Sequence, residues 1–174
     1  MSADHLLEGA TYLPSENHNE RPDTEISLVV IHNISLPPGE FGQRHIEDFF
    51  TNQLDVDAHP SFQSIKDLRV SAHLLIKRDG HIVQFVPFNK RAWHAGVSSY
   101  QGRENCNDFS IGIELEGDDH TAYEPAQYQA LNQTLEVLKS SYPITNIVGH
   151  SDVAPGRKTD PGEAFDWSKL TWIY

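Results

Sequence analysis

Two histidines and one aspartate have the setting of a catalytic metal site. His32 follows a short apolar run at 26–31, and His150 follows a second apolar run at 144–148. Ligands and catalytic groups in α/β proteins gather where strand ends meet loops. Asp160 comes ten residues after His150, in a loop bounded by Pro and Gly. Two imidazoles and one carboxylate are a three-ligand zinc set that leaves a position open for water. The alternative is that each histidine is a hydrogen-bonded structural residue.

A glutamate and a lysine are candidates for the chemistry beside such a site. The segment 110–116 alternates, so Glu114 and Glu116 point away from its Ile and Leu face. A carboxylate there would act as general base towards water, whereas the alternative is that both glutamates face solvent. Lys158 lies two residues before Asp160, where its ammonium would stabilise an oxyanion. An exposed loop lysine is the alternative.

The segment Trp93-His94-Ala95-Gly96 indicates a binding wall. It offers an aromatic plate and a ring nitrogen beside a flexible glycine, which suits a sugar or a peptide, although Trp93 is equally explained by packing. His94 is the best rival for a metal position, and His73, inside an apolar strand, is expected to be a hydrogen-bonded core residue. Cys106 shows no local sign of activation, which argues against a thiol nucleophile.

The elements that must position these residues follow from periodicity and turn signals. We expect the order strand, helix, hairpin, strand, helix, strand, with Asp79-Gly80 as the hairpin turn. The expected strands are 26–31, 71–77, 81–86, 110–116 and 144–148, and the expected helices are 43–52 and 121–142. This pattern predicts an α/β fold with a mixed central sheet flanked by helices.

Composition narrows the function further. The 174 residues have a net charge of −12, which argues against a nucleic-acid or anionic-membrane partner, because such binding relies on clustered basic charge. We expect residues 1–174 to form a single domain that acts as a monomer, with 1–22 as a loose N-terminal lead. One cysteine and no basic, apolar leader predict a cytoplasmic location.

Charge is distributed unevenly along the chain. Residues 69–103 carry six basic and one acidic residue. Arg157 and Lys158 add two positive charges beside the candidate metal ligands. The hypothesis is that an acidic body carries a cationic groove that attracts acidic groups of the substrate.

Three runs together resemble a known family. They are VVIHNISLPPGEFG (29–42), RVSAHLLIKRDGHIVQFVPFNKRAWHAGVSSYQGRENCNDFSIGIELEG (69–117) and GHSDVAPGRKTDPG (149–162). They closely resemble the AmpD family of cytoplasmic 1,6-anhydro-N-acetylmuramyl-L-alanine amidases. That family lies within the type 2 amidase superfamily, which also contains the peptidoglycan recognition proteins. The resemblance extends from about Asp4 to Trp167.

The resemblance implies a zinc hydrolase that recycles cell-wall fragments, with a type 2 amidase fold. Its substrate would be a small-molecule anhydro-muropeptide, in which it would cut the amide between anhydro-muramic acid and L-Ala. In suitable hosts it would also limit β-lactamase induction. By position, His32, His150 and Asp160 would bind Zn²⁺. Glu114 would be the catalytic acid/base, and Lys158 would stabilise the tetrahedral intermediate.

Three substrate contacts are implied by the same resemblance. Asn33 would be an amide partner, Arg69 a carboxylate anchor and Trp93 a sugar or peptide wall. Two other functions stay open on the sequence alone. One is a muropeptide-binding sensor that does not hydrolyse, and the other is an amidase that acts on intact peptidoglycan.

Overall fold

A six-stranded mixed sheet forms the centre of the molecule, which a computed structural model describes from residue 1 to residue 171. The strands are β1 (Thr11–Tyr12), β2 (His18–Glu20), β3 (Leu28–Ile34), β4 (Leu74–Ile76), β5 (Ile82–Gln84), β6 (Lys90–Ala92), β7 (Ser99–Tyr100), β8 (Arg103–Glu104), β9 (Ser110–Glu116) and β10 (Asn146–Gly149). The α-helices are α1 (His45–Phe50), α2 (Pro125–Ser141) and α3 (His150–Val153), and short 3₁₀ helices cover Pro60–Ser64, Cys106–Asp108 and Trp167–Lys169.

The strand order in the central sheet is β1-β5-β4-β9-β3-β10. Strands β4, β9, β3 and β10 are parallel, whereas β4 and β5 form an antiparallel hairpin. The carboxyl ends of the four parallel strands therefore share one edge of the sheet, the edge where α/β proteins place their ligands. Two further pairs, β2 with β6 and β7 with β8, make small separate sheets.

Helix α2 covers one face of the sheet. Leu131, Leu135 and Leu138 recur at helical spacing, and all three are buried in one cluster with the Ile and Leu face of β9. Gln127 ties the helix to the sheet, because its side-chain amide donates to the carbonyls of Ile76 and Glu116. This face is a packed apolar core.

The opposite face carries both packing and polar groups. Helix α1 packs there through Ile46 and Phe50, in a cluster that includes Leu75 of β4. His32 and Glu114 belong to this second face, because side chains alternate along a strand and the adjacent residues point into the core with α2. Those adjacent residues are Ile31 for His32, and Ile113 and Leu115 for Glu114. The alternation that buries β3 and β9 against α2 thus places two chemical groups on the other side.

The structure confirms the predicted fold class and the order of the larger elements. The Asp79-Gly80 turn joins β4 to β5 as expected, with Gly80 at φ +84°. The helix predicted from residue 121 begins at Pro125 instead. The Asp118 carboxylate accepts hydrogen bonds from the backbone N–H groups of His120 and Thr121, and these bonds form a turn. The residue that precedes Pro125 is also sterically disfavoured from helical backbone angles.

The N-terminal segment differs from the loose lead that its composition predicts. Residues 11–12 pair with β5 and residues 18–20 pair with β6. Leu7 is buried in the main core, and its backbone N–H donates to the side chain of Gln84. Short edge pairings and side-chain contacts of this kind leave little periodic signal in a sequence.

Residues 172–174, which belong to the expected domain 1–174, lie outside the described residues. Within residues 1–171, none of the helices combines the length and the apolar character that a bilayer crossing requires.

Candidate active site

Three ligand atoms meet at the carboxyl edge of the sheet. His32 Nδ1 lies 2.9 Å from His150 Nδ1, and each of these nitrogens lies 3.0 Å from Asp160 Oδ2. His32 comes from β3, His150 is the first residue of α3 directly after β10, and Asp160 comes from the following loop. The three residues predicted as ligands are brought together, and they form a group that could hold a metal ion.

The donor chemistry of this trio fits a divalent cation. The Nε2 atom of His150 lies 3.1 Å from the carbonyl oxygen of Ala95. Because a carbonyl only accepts hydrogen bonds, Nε2 carries the proton and Nδ1 presents a lone pair to the site. An imidazole oriented by a backbone carbonyl on its outer nitrogen is the usual arrangement of a metal ligand.

The protonation states also suit metal binding. Burial lowers the pKa of His32 to about 4, so its imidazole is neutral at pH 7. Burial alone would raise the pKa of Asp160, but its contacts with His150 and His32 outweigh burial and hold the pKa well below the ordinary value. Neutral imidazole and ionised carboxylate are the forms that bind zinc.

The loop that carries Asp160 is held at several points. The backbone N–H of Ser151 donates to the Asp160 carbonyl, and Tyr123 donates its hydroxyl proton to the Pro161 carbonyl at 2.7 Å. Gly162 has φ +80°, and a Cβ on it would lie 2.2 Å from Asp119 Cα. Only glycine fits at this contact. The Asp160 carboxylate is therefore positioned by the packing of its own loop.

Glu114 is buried beside the trio. Burial raises its pKa well above the ordinary value, nearby Asp160 raises it further, and Lys158 opposes both. Its Oε2 atom has no hydrogen-bond partner among residues 1–171. Glu116, two residues on, differs because its carboxylate accepts the backbone N–H groups of Gly42 and Arg78. The alternative that both glutamates face solvent is wrong, since both are buried.

The trio opens into a cleft of about 280 Å³. Its lining includes polar groups, among them Glu114 and Lys158, and apolar side chains, among them Leu36, Phe49 and Trp93. Lys158 is exposed on the rim. Such a cleft offers apolar walls to a ligand and convergent polar groups to a reacting bond.

Of the three expected substrate contacts, two line the cleft and one does not. Trp93 and Asn33 line the cleft, although the side-chain amide of Asn33 donates to Asp119 at 2.8 Å. Arg69 lies outside it, in an adjoining depression of about 70 Å³ that shares Phe49, Ile65 and Leu68 with the cleft. Its guanidinium donates to the carbonyls of Lys66 and Leu68.

The expectation of a cationic groove built from residues 69–103 is wrong. Five of the six basic residues form ion pairs with acidic residues outside that stretch, and none of these five bases lines the cleft. The pairs are Lys77–Glu47, Arg78–Glu124, Lys90–Glu20, Arg91–Asp108 and Arg103–Glu25. Local charge counted along the sequence could not show which acids fold onto these bases.

Sequence reasoning missed the groups that surround the ligands. His94 is not in the trio, and its Nδ1 lies 2.9 Å from His32 Nε2. Arg157 donates to the carbonyls of Ala95 and Val97, both at 2.7 Å. The backbone carbonyl of Ala95 leaves no signal in a sequence, whereas His94 was visible as a histidine beside a candidate binding wall. His73 is a buried, hydrogen-bonded core histidine, as expected.

Comparison with known proteins decides the family. The N-acetylmuramoyl-L-alanine amidase family, Amidase_2, matches residues 22–163. The chain belongs to this amidase family. It is 61% identical over 167 residues to the 1,6-anhydro-N-acetylmuramyl-L-alanine amidase AmpD of Escherichia coli K12, a match that covers 94% of this chain and 91% of that protein.

Solved structures agree with this family assignment. A crystal structure of a selenomethionine AmpD derivative matches with a TM-score of 0.95 and 58% identity, over 98% of this chain and 97% of that one. The E. coli amidase AmiD, solved in complex with anhydro-N-acetylmuramic acid-L-Ala-D-γ-Glu-L-Lys, matches with a TM-score of 0.62 and 34% identity, over 83% of this chain and 56% of that one. The amidase therefore has the type 2 amidase fold predicted from its motifs.

Proposed function

We propose that this amidase hydrolyses the amide bond between 1,6-anhydro-N-acetylmuramic acid and L-Ala in small muropeptides, as part of peptidoglycan recycling. The observation that carries the proposal is the His32, His150 and Asp160 trio at the base of a cleft, in a chain 61% identical to an amidase named for that substrate. The substrate is a small molecule, and the cleft volume of about 280 Å³ suits part of one.

The proposed metal is Zn²⁺, held by His32, His150 and Asp160. Two neutral imidazoles and one carboxylate are a usual ligand set of a catalytic zinc with an open position. When bound there, Zn²⁺ polarises a carbonyl and makes water more acidic. The neutral state of His32 and the ionised state of Asp160 support this assignment.

Glu114 is the proposed proton carrier. Its buried carboxylate takes a proton from the attacking water and delivers it to the amide nitrogen as the C–N bond breaks. The products are the carboxylate of the lactyl group and the free amine of L-Ala. The raised pKa of Glu114 and its unpartnered Oε2 support this role. A raised pKa makes the ionised carboxylate a stronger base towards water, and Oε2 is free to hold the proton until the amide nitrogen takes it.

Lys158 is proposed to stabilise negative charge on the carbonyl oxygen during attack. Its ammonium forms no ion pair or side-chain hydrogen bond within residues 1–171, and it lies on the rim of the cleft. A cation without a protein partner is available to a developing oxyanion.

The binding roles of Asn33, Arg69 and Trp93 remain proposals. Trp93 supplies an aromatic wall whose indole N–H already donates to Asn19, which fixes the ring plane. Asn33 would contact the substrate together with Asp119, which accepts its side-chain amide, and Arg69 would reach the substrate past Leu68. We also propose a cytoplasmic location, which the single, buried Cys106 supports because it leaves no intramolecular disulfide to form.

The test uses two substrates in parallel. Zinc-loaded protein is incubated with anhydro-muropeptide and, separately, with intact sacculi, and free peptide is measured by mass spectrometry. We expect release from the small fragment and little from the sacculi. Binding of the fragment without release would replace the proposal by a sensor function, and equal release from sacculi would replace it by a wall amidase.

Two variants make this test specific. Glu114→Gln keeps the shape of the side chain and removes its proton chemistry, so peptide release should fall sharply. Glu136→Gln is the matched control, because Glu136 is exposed on α2 at the opposite face of the sheet. It should release peptide at the rate of the unaltered chain.

A further inference from the structure

The segment Trp93–Val97, which we name the orienting loop, contacts both histidine ligands from behind. His94 Nδ1 lies 2.9 Å from His32 Nε2, and the Ala95 carbonyl oxygen lies 3.1 Å from His150 Nε2. The ring nitrogens of His32 and His150 that face away from the trio therefore contact two consecutive residues of one loop. The proposed function uses neither of these residues.

His32 can bind a metal through Nδ1 only as one of its two tautomers. Nδ1 must present a lone pair to the site, so the proton of the neutral ring must be on Nε2. In that tautomer Nε2 donates to His94 Nδ1, which must accept. In the other tautomer a proton on Nδ1 would point at His150 and Asp160, in the space that the metal needs.

The outer contact of His94 is compatible with the accepting state. When its Nδ1 accepts from His32, its proton lies on Nε2, which is 3.1 Å from the hydroxyl oxygen of Ser110. A hydroxyl accepts that proton without strain, because it can rotate. The chain from His32 through His94 to Ser110 is therefore complete in the ligating tautomer.

Packing leaves His94 little freedom to turn. Its ring lies over Gly112, where an added Cβ would come within 2.4 Å of the ring, so no side chain fits beneath it. The carboxamide oxygen of Asn107 accepts the backbone N–H groups of both His94 and Ala95. Arg157 holds the same loop from its other end through the Ala95 and Val97 carbonyls.

We propose that His94 is a positioning residue that stabilises the zinc-binding tautomer of His32 by accepting a hydrogen bond from its Nε2–H. It acts through His32 and touches neither substrate nor metal. The inference rests on the proposed zinc site, and it adds a determinant of zinc affinity outside the three ligands. Outer partners of ligating histidines typically change metal affinity 10–100-fold when they are removed.

The test compares two replacements of His94. His94→Phe keeps a ring over Gly112 and removes the acceptor, and His94→Asn returns an acceptor oxygen close to the position of Nδ1. The Zn²⁺ dissociation constant of each metal-stripped chain is measured by competition with a chromogenic chelator. The visible spectrum of the Co²⁺-loaded chain reports the ligand geometry. We expect His94→Phe to bind Zn²⁺ about 10–100-fold more weakly with an altered Co²⁺ spectrum, and His94→Asn to recover most of the affinity.

A matched control separates orientation from packing. His73 is a buried histidine whose Nδ1 accepts the backbone N–H of Gly112, and its ring centroid lies 5.8 Å from that of His94. His73→Phe should destabilise the metal-free chain and leave the Zn²⁺ dissociation constant within about threefold. If His94→Phe does not fold, Ser110→Ala replaces it, with an expected weakening of about threefold or more.

Three results would overturn the inference. They are unchanged Zn²⁺ affinity in His94→Phe or its substitute Ser110→Ala, no recovery in His94→Asn, or an equal loss of affinity in His73→Phe. An unaltered chain that binds no Zn²⁺ would instead overturn the proposed function, and this inference with it.

Discussion

His32 on β3 and Glu114 on β9 are register partners across two parallel strands. Neighbouring strands lie about 4.8 Å apart, and register partners in a parallel pair point to the same face of the sheet. A metal ligand and a buried carboxyl group are therefore held side by side by backbone hydrogen bonds. The backbone of the sheet, rather than a flexible loop, sets the separation between them.

Removal of the Glu114 carboxyl group should affect turnover and not metal binding. Glu114→Gln is expected to lower kcat by about 10²–10⁴-fold, the usual contribution of a general acid or base. KM and the Zn²⁺ content should change little, because the amide has nearly the same shape. Steady-state kinetics and metal analysis on the same sample measure both. Near-normal turnover would remove Glu114 from the mechanism.

The raised pKa of Glu114 also predicts how stability depends on pH. Below about pH 4 the carboxyl group is protonated in folded and unfolded chains, so it contributes no difference. Above that pH the unfolded chain ionises while the buried group keeps its proton, which lowers the free energy of unfolding. Glu114→Gln should thus become more stable relative to the unaltered metal-free chain as the pH rises above about 4, until the carboxyl group of the folded chain itself ionises.

Urea titrations of metal-free protein at several pH values measure this difference in stability. Glu136→Gln is measured alongside as the control, because it makes the same exchange of a carboxyl group for an amide at an exposed position on α2. A constant difference between Glu114→Gln and the unaltered chain at all pH values would contradict the assigned direction of the pKa shift.

Loss of a ligand should remove metal and activity together. His150→Ala removes a nitrogen from the trio, and we expect its Zn²⁺ content and its activity to be near background. Treatment of the unaltered chain with a chelator should have the same effect, and added Zn²⁺ should restore activity only in the unaltered chain. A zinc-free His150→Ala chain with full activity would exclude this ligand assignment.

Gly162 should tolerate no side chain. Gly162→Ala places a Cβ 2.2 Å from Asp119 Cα at a φ of +80°, so the loop that carries Asp160 must shift. We expect a loss of stability of about 1–3 kcal/mol and weaker Zn²⁺ binding. Gly156→Ala is a useful control, because Gly156 also has positive φ but nothing lies within 4 Å of its Cβ position. Equal effects of both substitutions would show that the close contact with Asp119 is unimportant.

Arg69 should influence binding without influencing chemistry. Arg69→Ala is expected to raise KM severalfold for muropeptides with free carboxylates and to leave kcat unchanged. The effect should shrink at high salt, because exposed charges are screened. Kinetics at two salt concentrations measure it. An unchanged KM would indicate that Arg69 only forms hydrogen bonds to the carbonyls of Lys66 and Leu68 and does not bind the substrate.

The elements with strong periodicity could be predicted from the sequence. The strand predicted at 110–116 has those bounds in the structure, and His32, His150 and Asp160 meet as expected. These predictions succeed because alternation decides the face of a strand, and strand ends decide where ligands gather.

Other features depend on contacts between distant segments. The pairing of Lys90 with Glu20 and of Arg103 with Glu25 neutralises bases that looked like a cationic patch. The Ala95 carbonyl that orients His150 is a backbone group, which every residue possesses. Neither a charge partner nor a backbone acceptor can be identified before the fold is known.

The long separation of the ligands has a consequence during synthesis. His32 and Asp160 are 128 residues apart, and ribosomes add about 5–20 residues per second. Roughly 6–26 s thus pass between the first ligand and the last. Both sheet neighbours of β3, which are β9 and β10, are also made after it. A chain that has not reached Asp160 therefore has no assembled site, and hydrolysis begins only after this residue has been translated and folded into place.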